Sequence, residues 1–280
     1  MIEFRKISEN RLTKMPEFGI VPEWRFHQDE TFFPICIKNI LPFCHFDKTN
    51  QSVTHQNAAM NYRNAILWKP EQMEGVGENI GDRTPVYAHN FQCQWKNGET
   101  VFATQWILCY LHNPGVRPCF SCCKPSSIGA HHGDFEIVVC FYTTNERREQ
   151  DFLGMLCLAH GLGDEARYYS QEKGEVVWHE GRPVVWVALG SHAHIGQPVS
   201  RCRFFFTQDC VQGEGMPWLP GQIIRARDEW WFQLAGRWGD PYDGPTTPQL
   251  FDESLYKLWM ERQEKDKSGQ FIHDMTLPSS

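Results

Sequence analysis

The chain has no apolar run approaching the roughly 18 residues that cross a bilayer as a helix. It also has no basic excess: 27 Lys and Arg stand against 34 Asp and Glu, a formal charge of -7. Nucleic-acid binders need clustered Lys and Arg to meet phosphates, so that class is excluded. The opening MIEFRKISENRLTKM lacks the apolar stretch of a secretory signal, so the expected location is cytoplasmic or otherwise intracellular. No internal repeat, low-complexity tract or domain boundary stands out, and one domain is expected over residues 1–280. Oligomeric state is not legible.

What is present is ordinary globular material, 41% apolar and 22% charged over 280 residues. A chain of that length buries a core without staples. Eleven cysteines is an odd number and fits no small disulfide framework, so they read as reduced, buried, small hydrophobes. Cys119, Cys122 and Cys123 in PCFSCCKP contain a CxxC pair, but a zinc site needs a second, well-spaced pair and none follows. Aromatic residues reach 14%, with 11 Trp and 19 Phe. They favour strands first and pocket walls second.

Residues 1–20 read as a polar lead-in. Residues 43–82 are polar, rich in Asn, Gln and Gly, and without a sustained period; they read as an excursion over the surface that can cover a site. From residue 85 strand patterns dominate. PVYAHNFQCQW and ETVFATQWILCY flank Lys96-Asn97-Gly98, a hairpin signal. FEIVVCFYT is a third strand, EVVWHE and RPVVWVAL make a second hairpin, and RCRFFFT (201–207) and EWWFQLAG (229–236) add further strands. Helices are expected at 145–161, weakened by Gly154, and at 249–267, followed by a frayed tail over 268–280. Many short strands at turn-marked spacing predict a mostly β, single-domain sandwich with a few peripheral helices.

The chemistry concentrates in two segments. In IGAHHGDFEIVV, Asp134 and Glu136 share one face of a strand, and Phe135 and Ile137 are expected to point into the core. Two carboxylates so close repel unless positive charge lies between them. His131, placed on the preceding turn, completes one imidazole and two carboxylates. That donor set suits Mg, Ca, Mn, Fe or Zn; an exposed polar strand end with ordinary surface charges is the plain alternative. In ALGSHAHIG a strongly apolar strand ends in Ser191, His192, Ala193 and His194. Both histidines are candidate ligands or general bases, or hydrogen-bonded structural residues.

Several segments together resemble the vacuolar protein sorting-associated 62 family and, more distantly, the necrosis-inducing Nep-like proteins. A "fh-DE-ffP" element reads RFHQDETFFP (25–34); "PVYAH" is present at 85–89; "QYWffY-yND" reads QWILCYLHNP (105–114). "H-GDWE" reads His131-His132-Gly133-Asp134-Phe135-Glu136, "HPVVYVALGSHA" reads RPVVWVALGSHA (182–193), and "GRWG…GP" is present at 236–239 and 244–245. The resemblance implies a β-sandwich with a negatively lined central cavity that, in Nep-like proteins, holds one divalent cation. It carries the ligand roles to His131, Asp134 and Glu136 and places His192 nearby. The family's further Asp falls on Pro114, so Asn113 or His112 takes its place or the site has one ligand fewer.

Two function classes follow, with a third suggested by the family name alone. The first is a metal-dependent enzyme on a small organic substrate, with His192 as acid/base, His194 and His160 as secondary candidates, and Trp106, Tyr110 and Trp186 lining the cavity. The second is a metal-dependent binder of lipid or glycan headgroups at a membrane surface. The third is a non-catalytic trafficking role.

Overall fold

The computed structural model describes residues 18–69, 72–73, 75–81, 83–95, 98–115, 117–118, 129–144, 150–158, 166–202, 207–240 and 244–252. Its centre is a six-stranded sheet. Pro85–Gln94 and Thr100–Asn113 form the expected hairpin, antiparallel from Tyr87↔Ile107 to Gln94↔Thr100. Thr100–Asn113 pairs in turn with His131–Thr144, as far as Tyr110↔Asp134 and Asn113↔His131. Gln150–Leu158 and Ala166–Ser170 extend the sheet on one side, and Gln222–Arg225 pairs parallel to Pro85–Gln94 on the other.

A five-stranded sheet faces it. There Glu23–Phe26 lies between Arg182–Val187 and Met216–Trp218. The second expected hairpin closes on Arg182–Val187 through Glu180 (φ 47) and Gly181 (φ 75). Neither sheet closes on itself, so the mostly β sandwich is an open one.

Strand alternation sorts the core. Trp24, Phe26, Val185, Val187 and Trp218 from the small sheet meet Trp106, Leu108, Tyr110, Val138 and Cys140 from the large one. The outer face of the large sheet is covered as well: Tyr87, Ile107, Cys109 and Leu111 pack under Phe46, Ile66, Trp231 and Trp238. This explains why Thr100–Asn113 is buried almost without interruption instead of alternating with polar residues.

Several expectations are corrected here. The described residues within 43–82 are a built layer and not a loose surface excursion. Thr54 caps His55–Asn61 in a reciprocal capping box with Asn57, and Cys44, Phe46, Val53, Ile66, Trp68 and Met73 are buried in the outer core. The expected helix at 145–161 is the strand Gln150–Leu158; pairing on both sides overrides its Leu- and Met-rich helix propensity. EWWFQLAG is not a strand but contains the 3₁₀ turn Trp230–Gln233. That turn puts Trp231 at 0% exposure, stacked 4.0 Å from Phe232. RCRFFFT is not one strand, because Arg201–Cys202 pairs antiparallel with Thr207–Asp209. At 249–252, where the C-terminal helix was expected to begin, the chain has no regular secondary structure; residues from 253 on lie outside the described ones, as do His160, Cys119, Cys122 and Cys123. Among the described residues no helix is long and apolar enough to cross a membrane.

Candidate functional site

The site forms where His131–Thr144 and Thr100–Asn113 end beside the loop that follows Arg182–Val187. Three backbone positions make it. Gly133 has φ 75, and a Cβ there would lie 2.9 Å from the Trp238 carbonyl oxygen. Gly190 also has φ 75, with a would-be Cβ 2.7 Å from the Gly115 carbonyl oxygen. Glycine is the residue that tolerates both demands. His192, a residue with a full side chain, adopts φ 56. Such a conformation costs free energy and persists because its surroundings enforce it.

Asp134 and Glu136 face inward between the sheets, at 6% and 3% exposure, while Phe135 and Ile137 are only partly buried on the outer face. Phe135 and Ile137 pack against the outer core, as expected of apolar residues, but the carboxylates are the more deeply buried pair. Alternation required the two carboxylates to share a face; which face was decided by packing.

His192, at 0% exposure, sits among the acids. Its Nδ1 donates to Asp134 Oδ2 at 3.0 Å, and its Nε2 lies 3.7 Å from Glu30 Oε1, an ion pair beyond hydrogen-bond reach. Burial alone would strip its proton. The hydrogen bond to Asp134 and the Glu30 carboxylate overturn that and raise its pKa to about 9. Burial likewise pushes the Asp134 carboxyl up, but the His192 hydrogen bond and charge, with smaller help from His131 and the Asn113 amide, hold it below the usual range.

Glu30 is the residue the sequence reading did not single out as a site residue. Its Oε1 accepts from the Thr31 and Phe32 amides at 2.9 and 3.0 Å, and its Oε2 from the Gly190 amide at 2.9 Å. Against burial, the contact with His192 and two of these amides lower its pKa. The available signal was the DE pair in RFHQDETFFP. Tyr110 stacks on the His192 ring at 3.9 Å and 9°, and its buried hydroxyl makes no hydrogen bond. Burial, then the charges of Glu136, Asp134 and Glu30, push that phenol far above its ordinary pKa.

The other expected site residues divide. Asn113 is committed: Nδ2 donates to Asp134 Oδ2 at 2.9 Å and to the Ser191 carbonyl at 3.2 Å, and Oδ1 accepts from Gly115 at 2.9 Å. These three contacts fix its amide orientation and leave it bracing Asp134. His112 packs edge-on to Phe32 at 4.9 Å and beside His132 at 5.1 Å, with a pKa lowered by burial and then by His132. His194 is fully buried, and burial drives its pKa down to about 3. Trp106 lies in the inter-sheet core, further along the strand from Tyr110. Trp186 points the other way: it is buried with Val184, Ala193 and Ile195 on the far face of the small sheet and donates to the Gly213 carbonyl. It therefore does not line the inter-sheet cavity.

Asp134, Glu136, His131 and Asn113 line one pocket of about 470 Å³, together with Phe135, Ile137, Leu158, Phe251 and the segment 245–249. Its donor chemistry fits a cation in two respects. The His131 Nδ1 lies 2.7 Å from the Gly133 carbonyl oxygen, an acceptor, so Nδ1 donates there and Nε2 is the ring nitrogen left to face a ligand. A backbone carbonyl on the second nitrogen is the usual support of a metal-ligating imidazole. Three carboxylates (Glu30, Asp134, Glu136) also gather around the buried Tyr110 phenol, so oxygen donors are concentrated there. Among the described residues no three His, Cys, Asp or Glu side chains converge at ligand distance, so closing on an ion requires side-chain rotation.

Among solved structures, the crystal structure of non-toxic HaNLP3 protein aligns over 86% of each chain, with a TM-score of 0.42 and 10% identity. That is a distant likeness to a Nep-like protein, and it carries no argument about activity. No family model and no curated protein matches the chain.

Proposed function

We propose that this chain is a divalent-cation-dependent binding protein for a neutral, hydroxyl-bearing headgroup or small molecule. The observation that carries the reading is that His131, Asp134 and Glu136 line the same pocket, with the His131 Nδ1 held by the Gly133 carbonyl. These three residues would hold the ion. Bound, the ion supplies positive charge to orient ligand oxygens in a site otherwise rich in carboxylates. His192 and Asn113 fix Asp134 through its Oδ2.

The lining narrows the ligand. No Lys or Arg lines the pocket among the described residues; beside the acids it presents threonines, Gln249 and an apolar wall of Phe135, Ile137, Leu158 and Phe251. A phosphate or sulfate group would meet carboxylates with the ion alone to offset them. Hydroxyls suit both the ion and the neutral polar groups. This places the reading on the glycan side of a lipid- or glycan-headgroup specificity. The ordered resemblance to the vacuolar protein sorting-associated 62 segments belongs to the same reading, since Glu30, Asn113, Asp134, Glu136 and His192 all come from those segments.

The catalytic alternative asks His192 to exchange a proton near neutrality. Two carboxylates and a stacked tyrosine hold it charged and out of solvent, which favours binding over turnover. The test is manganese titration followed by electron paramagnetic resonance, on wild type and Asp134→Asn, with a polyol and an inositol phosphate as competing second ligands. One ion per wild-type chain, little in the variant, and preference for the polyol are expected. Equal manganese uptake by both proteins would overturn the cation site. Turnover of a panel substrate that is lost without loss of affinity in His192→Gln would restore the enzyme reading.

A further inference from the structure

The segment Gly244–Asp252 supplies one wall of this pocket through residues 245–249 and Phe251, and it also borders a second, more open depression of about 710 Å³ lined by Phe232, Leu234, Pro248 and Leu250. It is a strap between two spaces with no regular secondary structure of its own beyond an isolated bridge, Arg237↔Thr246. It is tied down at two points, with Pro248 between them. At the first, Trp238 donates its backbone N–H to the Pro245 carbonyl at 2.8 Å and its indole N–H to Thr247 Oγ1 at 2.7 Å. At the second the tie is made by side chains of the sheet. Gln105 Nε2 donates to the Gln249 carbonyl at 3.0 Å, its Oε1 accepts from the Phe251 amide at 2.9 Å, and the His89 Nε2 lies 2.8 Å from the Phe251 carbonyl oxygen.

Gln105 and His89 are direct cross-strand partners, at 0% and 3% exposure. A glutamine and a histidine side by side on a covered sheet face are costly unless every polar group is met. Here the strap's backbone meets them: the pair offers donor, acceptor, donor in the manner of an added strand. The carbonyl acceptor requires the proton on His89 Nε2, and burial lowers that ring's pKa, with the Arg227 charge adding to the effect against the pull of the Phe251 carbonyl. The first tie also reaches the ligand turn, because Gly239 packs where a Cβ would lie 2.4 Å from the His132 backbone carbon. The pocket wall and the residues proposed to hold the ion are thus built on one another.

We infer that Gln105 and His89 are positioning residues. They hold Gly244–Asp252 in register as the wall that sets ligand fit, and touch neither ion nor ligand. The inference rests on the binding reading above for its functional meaning, and on the strap's hydrogen bonds for its physical content. The test is hydrogen exchange read by mass spectrometry on the full chain, comparing wild type, Gln105→Leu, Gln105→Glu and His89→Gln, with manganese affinity measured in parallel. Gln105→Leu is expected to speed exchange of the strap peptide, with the Phe251 amide, at least tenfold. Peptides of Thr100–Asn113 and His131–Thr144 and the manganese affinity should stay within twofold of wild type. Gln105→Glu, which keeps the acceptor for the Phe251 amide, is expected to fall between, and His89→Gln, which keeps a donor, to restore most protection.

Strap exchange unchanged in Gln105→Leu would overturn the inference. So would sheet peptides loosening in step with the strap, Gln105 then being an ordinary core residue. If Gln105→Leu does not fold, Gln105→Glu and His89→Gln decide the question by the same ratio of strap to sheet exchange. No manganese binding in wild type, with the strap result intact, would sink the binding reading and leave the clamp standing.

Discussion

With a left-handed backbone and a ring out of reach of solvent, His192 is held where its charge is an integral part of the fold. An unfolded imidazole titrates near 6.5, whereas His192 in the folded protein titrates at about 9. Its stabilisation is therefore complete below the unfolded value and drains away as pH rises through the folded one. In metal-free protein, urea unfolding between pH 6.5 and 9 should show a loss on the order of 3 kcal/mol. His192→Gln should flatten that slope and, by leaving Asp134 and Glu30 uncompensated, cost about 3–5 kcal/mol at neutral pH. A wild-type profile flat over this window would mean the imidazole is not charged.

The acid limb has opposite sources. Asp134 and Glu30, with lowered pKa values, stabilise above their unfolded values near 4 and stop doing so as pH falls through the folded ones. His194, with its pKa down at about 3, stays neutral while the unfolded chain takes up a proton below about 6.5, so stability already falls there. His194→Phe should shift the acid midpoint downward in a circular dichroism titration; an unmoved midpoint would clear His194 of that role.

Among the elements, the turn before Asp134 depends on a glycine for two separable reasons, the left-handed φ and the Trp238 carbonyl beside it. Gly133→Ala must bear both, so a loss of roughly 1–3 kcal/mol from the backbone, with more from the displaced contact, is expected in thermal or urea unfolding. Gly98→Ala is the control: its φ is 82 but nothing lies within 4 Å of its would-be Cβ, so only the conformational cost remains. Equal losses in the two variants would mean that packing against Trp238 contributes nothing. Element type was legible where turn chemistry and alternation agreed, as at Gly98 and at Glu180-Gly181. It was not legible at Gln150–Leu158 or Trp230–Gln233. The first is a strand because strands already flank it on both sides, and the second coils so that Trp231 can fill the outer core.

For the whole molecule, the proposed ion would tie the acids of one sheet's strand to the stability of the entire fold. A cation that binds only the folded state adds about 2.7 kcal/mol when present at one hundred times its dissociation constant, a rise of roughly 4–6 °C in Tm for a chain of this size. Manganese should raise the melting temperature at constant ionic strength, a chelator should reverse the rise, and Asp134→Asn should remove most of it. Melting curves that ignore both additions would argue against an ion at Asp134 and Glu136.

The sequence alone determined the strand-rich class, the main hairpin, the acid pair and the six ordered segments that carry the family resemblance. These are local properties: a pleat with period two, a turn that needs glycine, a run of titratable residues. Only the tertiary structure decided that Asp134 and Glu136 face inward, that Glu30 comes from a distant loop to hold His192 charged, and that Trp186 faces away. It also decided that His89, legible in the sequence only as part of a strand and of a resembling segment, ties down the pocket wall with Gln105. Each depends on which face of a strand is covered and by what, and that is settled by layers far apart in the chain, since Glu30 and Gly190 meet across 160 residues.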